Sequence, residues 1–134
     1  MKRIIVMIIT VISFAGCTSV HVKKIDSNEH QLSLVCIEKN PSVLVRDFLT
    51  VVENGFIHYG IETEIYTGNT PPHCKYILTY DAGRGWDFAP FLNHAELHLK
   101  HGKKIIALAT YNHSGGFALN KWASTESKMT PVID

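Results

Sequence analysis

The sequence predicts an α+β fold, in which a sheet of four to five strands carries one main helix on one face. Two observations predict this class: several short runs alternate apolar and polar residues, and one longer run repeats its apolar residues at helical spacing. The runs follow one another as strand, helix, strand, strand, strand and strand, which is typical of a single domain around one core. A short helix start is expected at the C-terminus.

Three strands are predicted at residues 32–38, 61–67 and 75–81, because these runs are rich in β-forming side chains and are bounded by turn residues. In the first run, the alternation places Leu32, Leu34 and Cys36 on one face. The helix that separates the first two strands predicts a right-handed crossover, which would place these strands parallel in one sheet.

The main helix is predicted from about residue 41 to residue 59. Asn40 supplies an N-cap, Pro41 needs no N–H in the first turn, and Gly60 can adopt the left-handed conformation that ends a helix. The apolar residues of this run recur at the spacing that covers a sheet, and they are Val45, Phe48, Leu49, Val52 and Phe56.

A β-hairpin is predicted from residues 93–100 and 103–112, with the turn at His101 and Gly102. The inward face of its first strand is formed by Ala95, Leu97 and Leu99. Before the hairpin, Gly83 and Gly85 predict a bulge or bend in a strand, and Pro90 predicts a turn. The aromatic residues of this stretch either cap the core or form an exposed partner-binding patch, and they are Trp86, Phe88 and Phe91.

The C-terminal tail combines apolar anchors with a polar middle. Residues 117–129 predict a strand end and a loop held by Trp122, and residues 130–134 predict the first turn of a helix. On the main helix, Leu44 and Val51 form a second apolar strip. This strip has two interpretations, contact with the chain's own C-terminal segment or contact with a partner.

The N-terminus has the features of an export signal. Lys2 and Arg3 precede a run of about 11 apolar residues, which is shorter than the roughly 20 that a bilayer-spanning helix needs. Residues 14–17, Phe-Ala-Gly-Cys, resemble the bacterial lipobox, which implies that Cys17 is lipidated and becomes the new N-terminus. An ordinary signal peptide with an incidental Cys17 and a retained anchor are the alternatives.

This leader divides the chain into three parts. We expect a lipoprotein signal peptide at residues 1–16, a lipidated N-terminus and flexible tether at residues 17–31, and a single α+β domain at residues 32–134. Within the tether, a short edge strand is expected to involve Val20, Val22 and Ile25. Loss of Lys2 and Arg3 from the 13 basic residues brings the balance with the 12 acidic residues close to neutrality, which argues against a nucleic-acid partner.

The cysteines and histidines are the candidate chemical groups. With Cys17 assigned to lipid, Cys36 and Cys74 remain, and an exported pair predicts a disulfide, the alternative being two separate buried thiols. A metal site must be weighed at His94, Glu96 and His98. On a strand, however, the first and last of these lie about 13 Å apart. A solvated polar face and a pH-responsive contact surface are the other interpretations.

No catalytic arrangement is evident in the sequence. Ser114 lacks the G-x-S-x-G pattern of a nucleophile elbow, and the sparse carboxylates show no pairing typical of acid–base catalysis. We therefore expect neither enzyme activity nor a cofactor.

Several segments resemble a group of small Gram-negative lipoproteins of uncharacterised function. They are the strand ending before Asn40-Pro41, residues 86–91 with residues 94–97, Lys121-Trp122, and residues 129–134. The order of the elements is more loosely similar to envelope transport-auxiliary lipoproteins and to the N-terminal domain of the translocation protein TolB. Because Thr18 is not an aspartate, the resemblance implies sorting to the outer membrane, facing the periplasm.

The leading hypothesis is therefore a non-enzymatic outer-membrane lipoprotein that binds or assembles another cell-envelope component. It would use the aromatic stretch Trp86–Phe91 or an exposed sheet edge. The alternative is a lipoprotein that binds a small ligand or a metal through the strand face carrying His94, Glu96 and His98.

Overall fold

The structure is a computed structural model, which describes residues 17–87 and 89–114 together with Thr125, Lys128 and Met129. Six strands form one mixed sheet, and one helix packs on one face of it. The elements are β1 (Cys17–Lys23), β2 (Leu34–Glu38), α1 (Phe48–His58), β3 (Glu62–Tyr66), β4 (Tyr76–Asp87), β5 (Ala89–His101) and β6 (Lys104–Ser114).

The strand order across the sheet is β1-β6-β5-β4-β2-β3. β2 pairs in parallel with β3 and β4, and the remaining neighbours are antiparallel. The α+β class and the parallel pairing across the helical crossover are confirmed. The predicted number of four to five strands is wrong, since the described part of the chain has six.

The additional strand is β1. It contains Val20 and Val22 of the short edge strand that is expected within the tether, whereas Ile25 lies beyond its end. Val20 pairs with Tyr111 and Val22 with Ala109, in an antiparallel ladder with β6. The segment is too polar to form a core by itself, but β6 supplies hydrogen-bond partners and an apolar neighbour. Residues 17–23 therefore belong to the sheet, as an edge strand.

The helix starts later than predicted. α1 begins at Phe48 rather than near residue 41, and its N-cap is Asp47. The side chain of Asn40 has another role: its Nδ2 donates to the carbonyl oxygen of Tyr80 at 3.0 Å, and its Oδ1 accepts from the N–H of Ser42 at 3.0 Å. Asn40 thus fixes the end of β2 to β4 and opens a turn, so the cap that sequence spacing predicts does not form.

The end of the helix is confirmed. Gly60 has φ of +73°, and its N–H donates to the carbonyl oxygen of Ile57 at 2.9 Å. The N–H of Ile61 donates to the carbonyl oxygen of Phe56 at 3.0 Å. These two bonds form a Schellman motif, which satisfies the last carbonyl groups of the helix.

The core lies between α1 and the sheet. Phe48 and Val52 of the helix are fully buried, and they pack in one cluster with Val35 and Ile37 of β2. The face of β2 that meets the helix is thus the one with Val35 and Ile37, and Cys36 lies on the opposite face. All three central residues of β2 are fully buried, so an alternating pattern in the sequence does not identify the face that meets the helix.

The hairpin prediction is confirmed. β5 and β6 pair around Gly102, which has φ of +62°. The register between β4 and β5 shifts between Gly83 and Arg84, which is the predicted bulge. The turn predicted at Pro90 is wrong, since Pro90 lies in β5 opposite Trp86.

The C-terminal segment also differs from its prediction. Thr125, Lys128 and Met129 are helical, whereas residues 117–129 predict a strand end and a loop. Met129 is fully buried in the core cluster, and Thr125 Oγ1 donates to Asp47 Oδ1 at 3.0 Å. Trp122 and the predicted helix start at residues 130–134 lie outside the described residues.

Candidate functional site

The predicted lipidation site stands at the first residue of the sheet. Cys17 begins β1, and its backbone pairs with that of Ser114 on β6. β1 spans six residue steps of about 3.3 Å, or about 20 Å. A lipid on Cys17 would therefore lie at one end of the edge strand. Within the described residues, no helix is long and apolar enough to cross a bilayer.

Cys36 and Cys74 are joined by a disulfide, with a Cα–Cα distance of 5.8 Å. Beside it, His73 Nε2 lies 2.7 Å from Glu64 Oε2 on the surface. Potential metal-ligand atoms of Cys36, His73 and Cys74 lie within 4.8 Å of one another. Metal binding by cysteine requires the thiolate, and the bonded sulfur atoms do not provide it. The disulfide thus defines this cluster as structural.

The strand face proposed for metal binding is arranged around Glu96. Glu96 Oε1 accepts a hydrogen bond from His98, and Glu96 Oε2 lies 3.9 Å from Nε2 of His94. His94 Nδ1 also lies 2.7 Å from Asn112 Oδ1. β5 therefore brings the three predicted residues together as a carboxylate between two imidazoles.

This arrangement lacks the convergence of a metal site. Across the described residues, the groups of three potential ligand atoms within 4.8 Å of one another do not include His94, Glu96 and His98. Alternate residues of a strand share a face, but the strand rise keeps the outer two apart. Zinc binding at these residues stays a prediction.

Phe91 is the member of the predicted aromatic patch whose side chain is described. Its ring meets His113 edge to face, with centroids 5.8 Å apart, and Lys128 Nζ lies 5.4 Å from the ring centroid. A Cβ atom at Gly85 would lie 2.4 Å from Phe91 Cζ, so the glycine opposite on β4 makes room for the ring. Phe91 is therefore packed within the fold. Phe88 and the side chain of Trp86 lie outside the described residues.

Lys128 is a buried cation that the sequence analysis did not predict. It is 5% exposed, and its Nζ donates to the carbonyl oxygen of Leu92 at 3.0 Å. Burial lowers the pKa of the Lys128 ammonium, because removal from water disfavours its charged form. A lysine in a Ser/Thr-rich segment carries no sequence pattern that indicates burial.

A cavity beside α1 is the second feature that sequence reasoning missed. It has a volume of about 430 Å³ and lies on the core face of the sheet, between the last turns of α1 and the chain after β1. One sequence feature could have indicated it: Gly55, which lines the cavity, lies inside a helix, where glycine is disfavoured.

No protein-family model matches the chain, and no curated protein matches it. Solved structures with a similar fold include a dodecamer of a point variant of PelC from Paraburkholderia phytofirmans. It has a TM-score of 0.63 and 14% sequence identity, over 87% of this chain and 95% of that one. A second PelC dodecamer from the same organism has a TM-score of 0.55 and 12% identity, over 87% and 92% of the two chains. At these identities the likeness concerns the fold.

Proposed function

We propose that this chain is a lipoprotein of the outer membrane that faces the periplasm and acts as a non-enzymatic assembly module. It associates with copies of itself and with another envelope component. The observation that carries the proposal is the sheet itself, which within the described residues ends in two edge strands, β1 and β3. The leader and the sequence around Cys17 support the membrane anchor.

The two edges are formed by β1 and β3. In the part of the chain that the structure describes, each of them pairs with one strand, β1 with β6 and β3 with β2. Both edges carry exposed apolar side chains: Val20 is 36% exposed on β1, and Ile65 is 40% exposed on β3. Open edges with apolar residues favour pairing with another chain.

The two edges lie at opposite ends of the sheet, so each copy can present a different edge to each neighbour. Such a head-to-tail contact is heterologous, and it produces a closed ring when the rotation between copies closes. The PelC structures that share this fold are dodecamers. This supports a homo-oligomer of many copies rather than a two-fold dimer.

A charge introduced at either edge should separate the copies. We expect the full chain, extracted from membranes of a Gram-negative host in mild detergent, to form an oligomer by native mass spectrometry. Val20→Lys or Ile65→Lys should shift it to monomers, because each places a charge in the contact. Ile57→Lys is the control, since Ile57 is 58% exposed but lies on α1, outside both edge strands.

A wild-type chain that is monomeric at all concentrations would contradict the assembly. An oligomer that persists in both edge variants but dissociates in the control variant would also contradict the assembly. Envelope cross-linking of the wild type and the edge variants then identifies the second component by its loss from the monomeric variants.

A further inference from the structure

The cavity beside α1 has an apolar interior. Its walls come from the sheet, from α1 and from the chain between β1 and β2, and they include Leu32, Phe56, Ile61, Leu78, Leu97 and Leu99. A volume of about 430 Å³ lies in the range of roughly 300–1,000 Å³ that is typical of small-molecule sites. An interior of this composition favours a hydrocarbon group and disfavours a polar one.

The mouth of the cavity is positively charged. Lys23 and Lys24 line it and are exposed, and Ser27 adds a hydroxyl group. Among the lining residues within the described part of the chain, none carries a carboxylate. The two ammonium groups therefore place positive charge at the entrance, which favours an anion there.

Gly55 keeps the helix side of the cavity open. It is the eighth residue of α1, where glycine is less favourable to a helix than alanine. It is not among the glycines with positive φ, so the backbone does not require glycine at this position. A larger side chain here would enter the space between α1 and the sheet.

From these three observations we infer that the cavity binds one acyl chain of an anionic amphiphile. The hydrocarbon lies along Leu97 and Leu99, and the anionic headgroup lies at Lys23 and Lys24. A free fatty acid and an anionic phospholipid share this chemistry. The site shares Val22 and Lys23 with the edge strand β1, but its apolar walls come from α1, from other strands and from the chain after β1.

Photo-cross-linking in living cells tests the inference on the full chain. Cells that express it are fed a palmitate analogue with a diazirine in its chain, irradiated, and the purified protein is digested for mass spectrometry. We expect adducts on the peptides that contain Phe56 or Leu97. The adduct mass distinguishes the two sources, fatty acid and phospholipid, and either one supports the inference.

Two variants connect the adducts to the cavity. Gly55→Phe fills the cavity and should lower the yield of adducts on these peptides by about tenfold or more. Ile57→Phe on the same helix is the matched control, because Ile57 is 58% exposed and does not line the cavity. The double substitution Lys23→Glu and Lys24→Glu reverses the charge at the mouth and should lower the yield several-fold.

An intact Cys36–Cys74 disulfide and a wild-type amount of protein show that each variant is folded. If Gly55→Phe does not fold, the double lysine variant carries the test, because both side chains are exposed. The inference is overturned if the wild type gives no adduct on the cavity peptides, or if folded variants give the wild-type yield. It is also overturned if the adduct joins a cavity peptide to the chain's own lipidated N-terminal peptide.

Discussion

At the scale of single residues, Lys128 is unusual because its side chain is buried. A lysine ammonium is almost never buried without a partner. Here it donates to Leu92 and lies beside the Phe91 ring, so both a carbonyl oxygen and an aromatic face compensate part of its lost hydration. The lowered pKa indicates that this compensation is incomplete.

The Lys128 ammonium predicts a pH dependence of stability. Between its lowered pKa and the usual value of 10.5, the unfolded chain binds more protons than the native one, so the free energy of unfolding rises with pH. Lys128→Met removes this term. We expect the stability of the wild type relative to this variant to rise as pH approaches 10.5, in urea unfolding at a series of pH values from 7 upward. A difference that is constant or falls with pH would refute the assignment.

Cys36 and Cys74 show how a residue count can predict a long-range contact. The two cysteines are separated by 38 residues, and the chain-entropy relation assigns about 4 kcal/mol to closing such a loop. When Cys17 is assigned to lipid, Cys36 and Cys74 are the single possible intrachain pair. Counting cannot identify the contacts of a lysine or a phenylalanine, so the burial of Lys128 and the packing of Phe91 became evident only in the tertiary structure.

At the scale of elements, the end of α1 was predictable and its start was not. Gly60 alone determines the end, because it accepts the left-handed conformation locally. The start depends on Asn40, which has the sequence properties of a cap but bonds to Tyr80, a residue 40 positions away. A contact over that distance in sequence leaves no local pattern.

Alanine substitutions at Gly55 and Gly60 should change the stability of the chain in opposite directions. Gly60→Ala should destabilise the chain by about 1 kcal/mol, because alanine is strained at φ of +73° although no atom lies within 4 Å of its Cβ position. Gly55→Ala should stabilise it by about 1 kcal/mol, because alanine favours the helix interior. Urea unfolding of both variants measures the pair. Effects of the same sign would contradict the roles given to these glycines.

At the scale of the whole molecule, the sheet separates two environments. One face carries α1, Met129 and the acyl-chain cavity, while the opposite face carries the disulfide and the polar row around Glu96. β1 connects the proposed anchor to this sheet without an intervening loop, since the strand begins at Cys17. The anchor would therefore restrict how the sheet is oriented at the membrane.

Substitution of Cys17, the proposed lipidation site, should release the protein from the membrane. We expect the wild-type chain to remain in the membrane fraction of a Gram-negative host and to incorporate labelled palmitate. Cys17→Ser should remove the palmitate label and leave the chain without an acyl anchor. Ser19→Ala, two residues further along β1, is the control and should behave as the wild type. Equal palmitate labelling of the Cys17→Ser variant would contradict lipidation at this residue.

The amino-acid sequence was enough to predict the α+β class, the hairpin around Gly102 and the end of α1, and it favoured the Cys36–Cys74 disulfide once Cys17 was assigned to lipid. Each of these follows from a local period, a single turn residue or a residue count. Only the folded chain shows which face of β2 meets the helix, that β1 already starts at Cys17, and that Gly55 borders a cavity. These features depend on neighbours distant in sequence, since the free energy of burying a side chain is set by what packs against it.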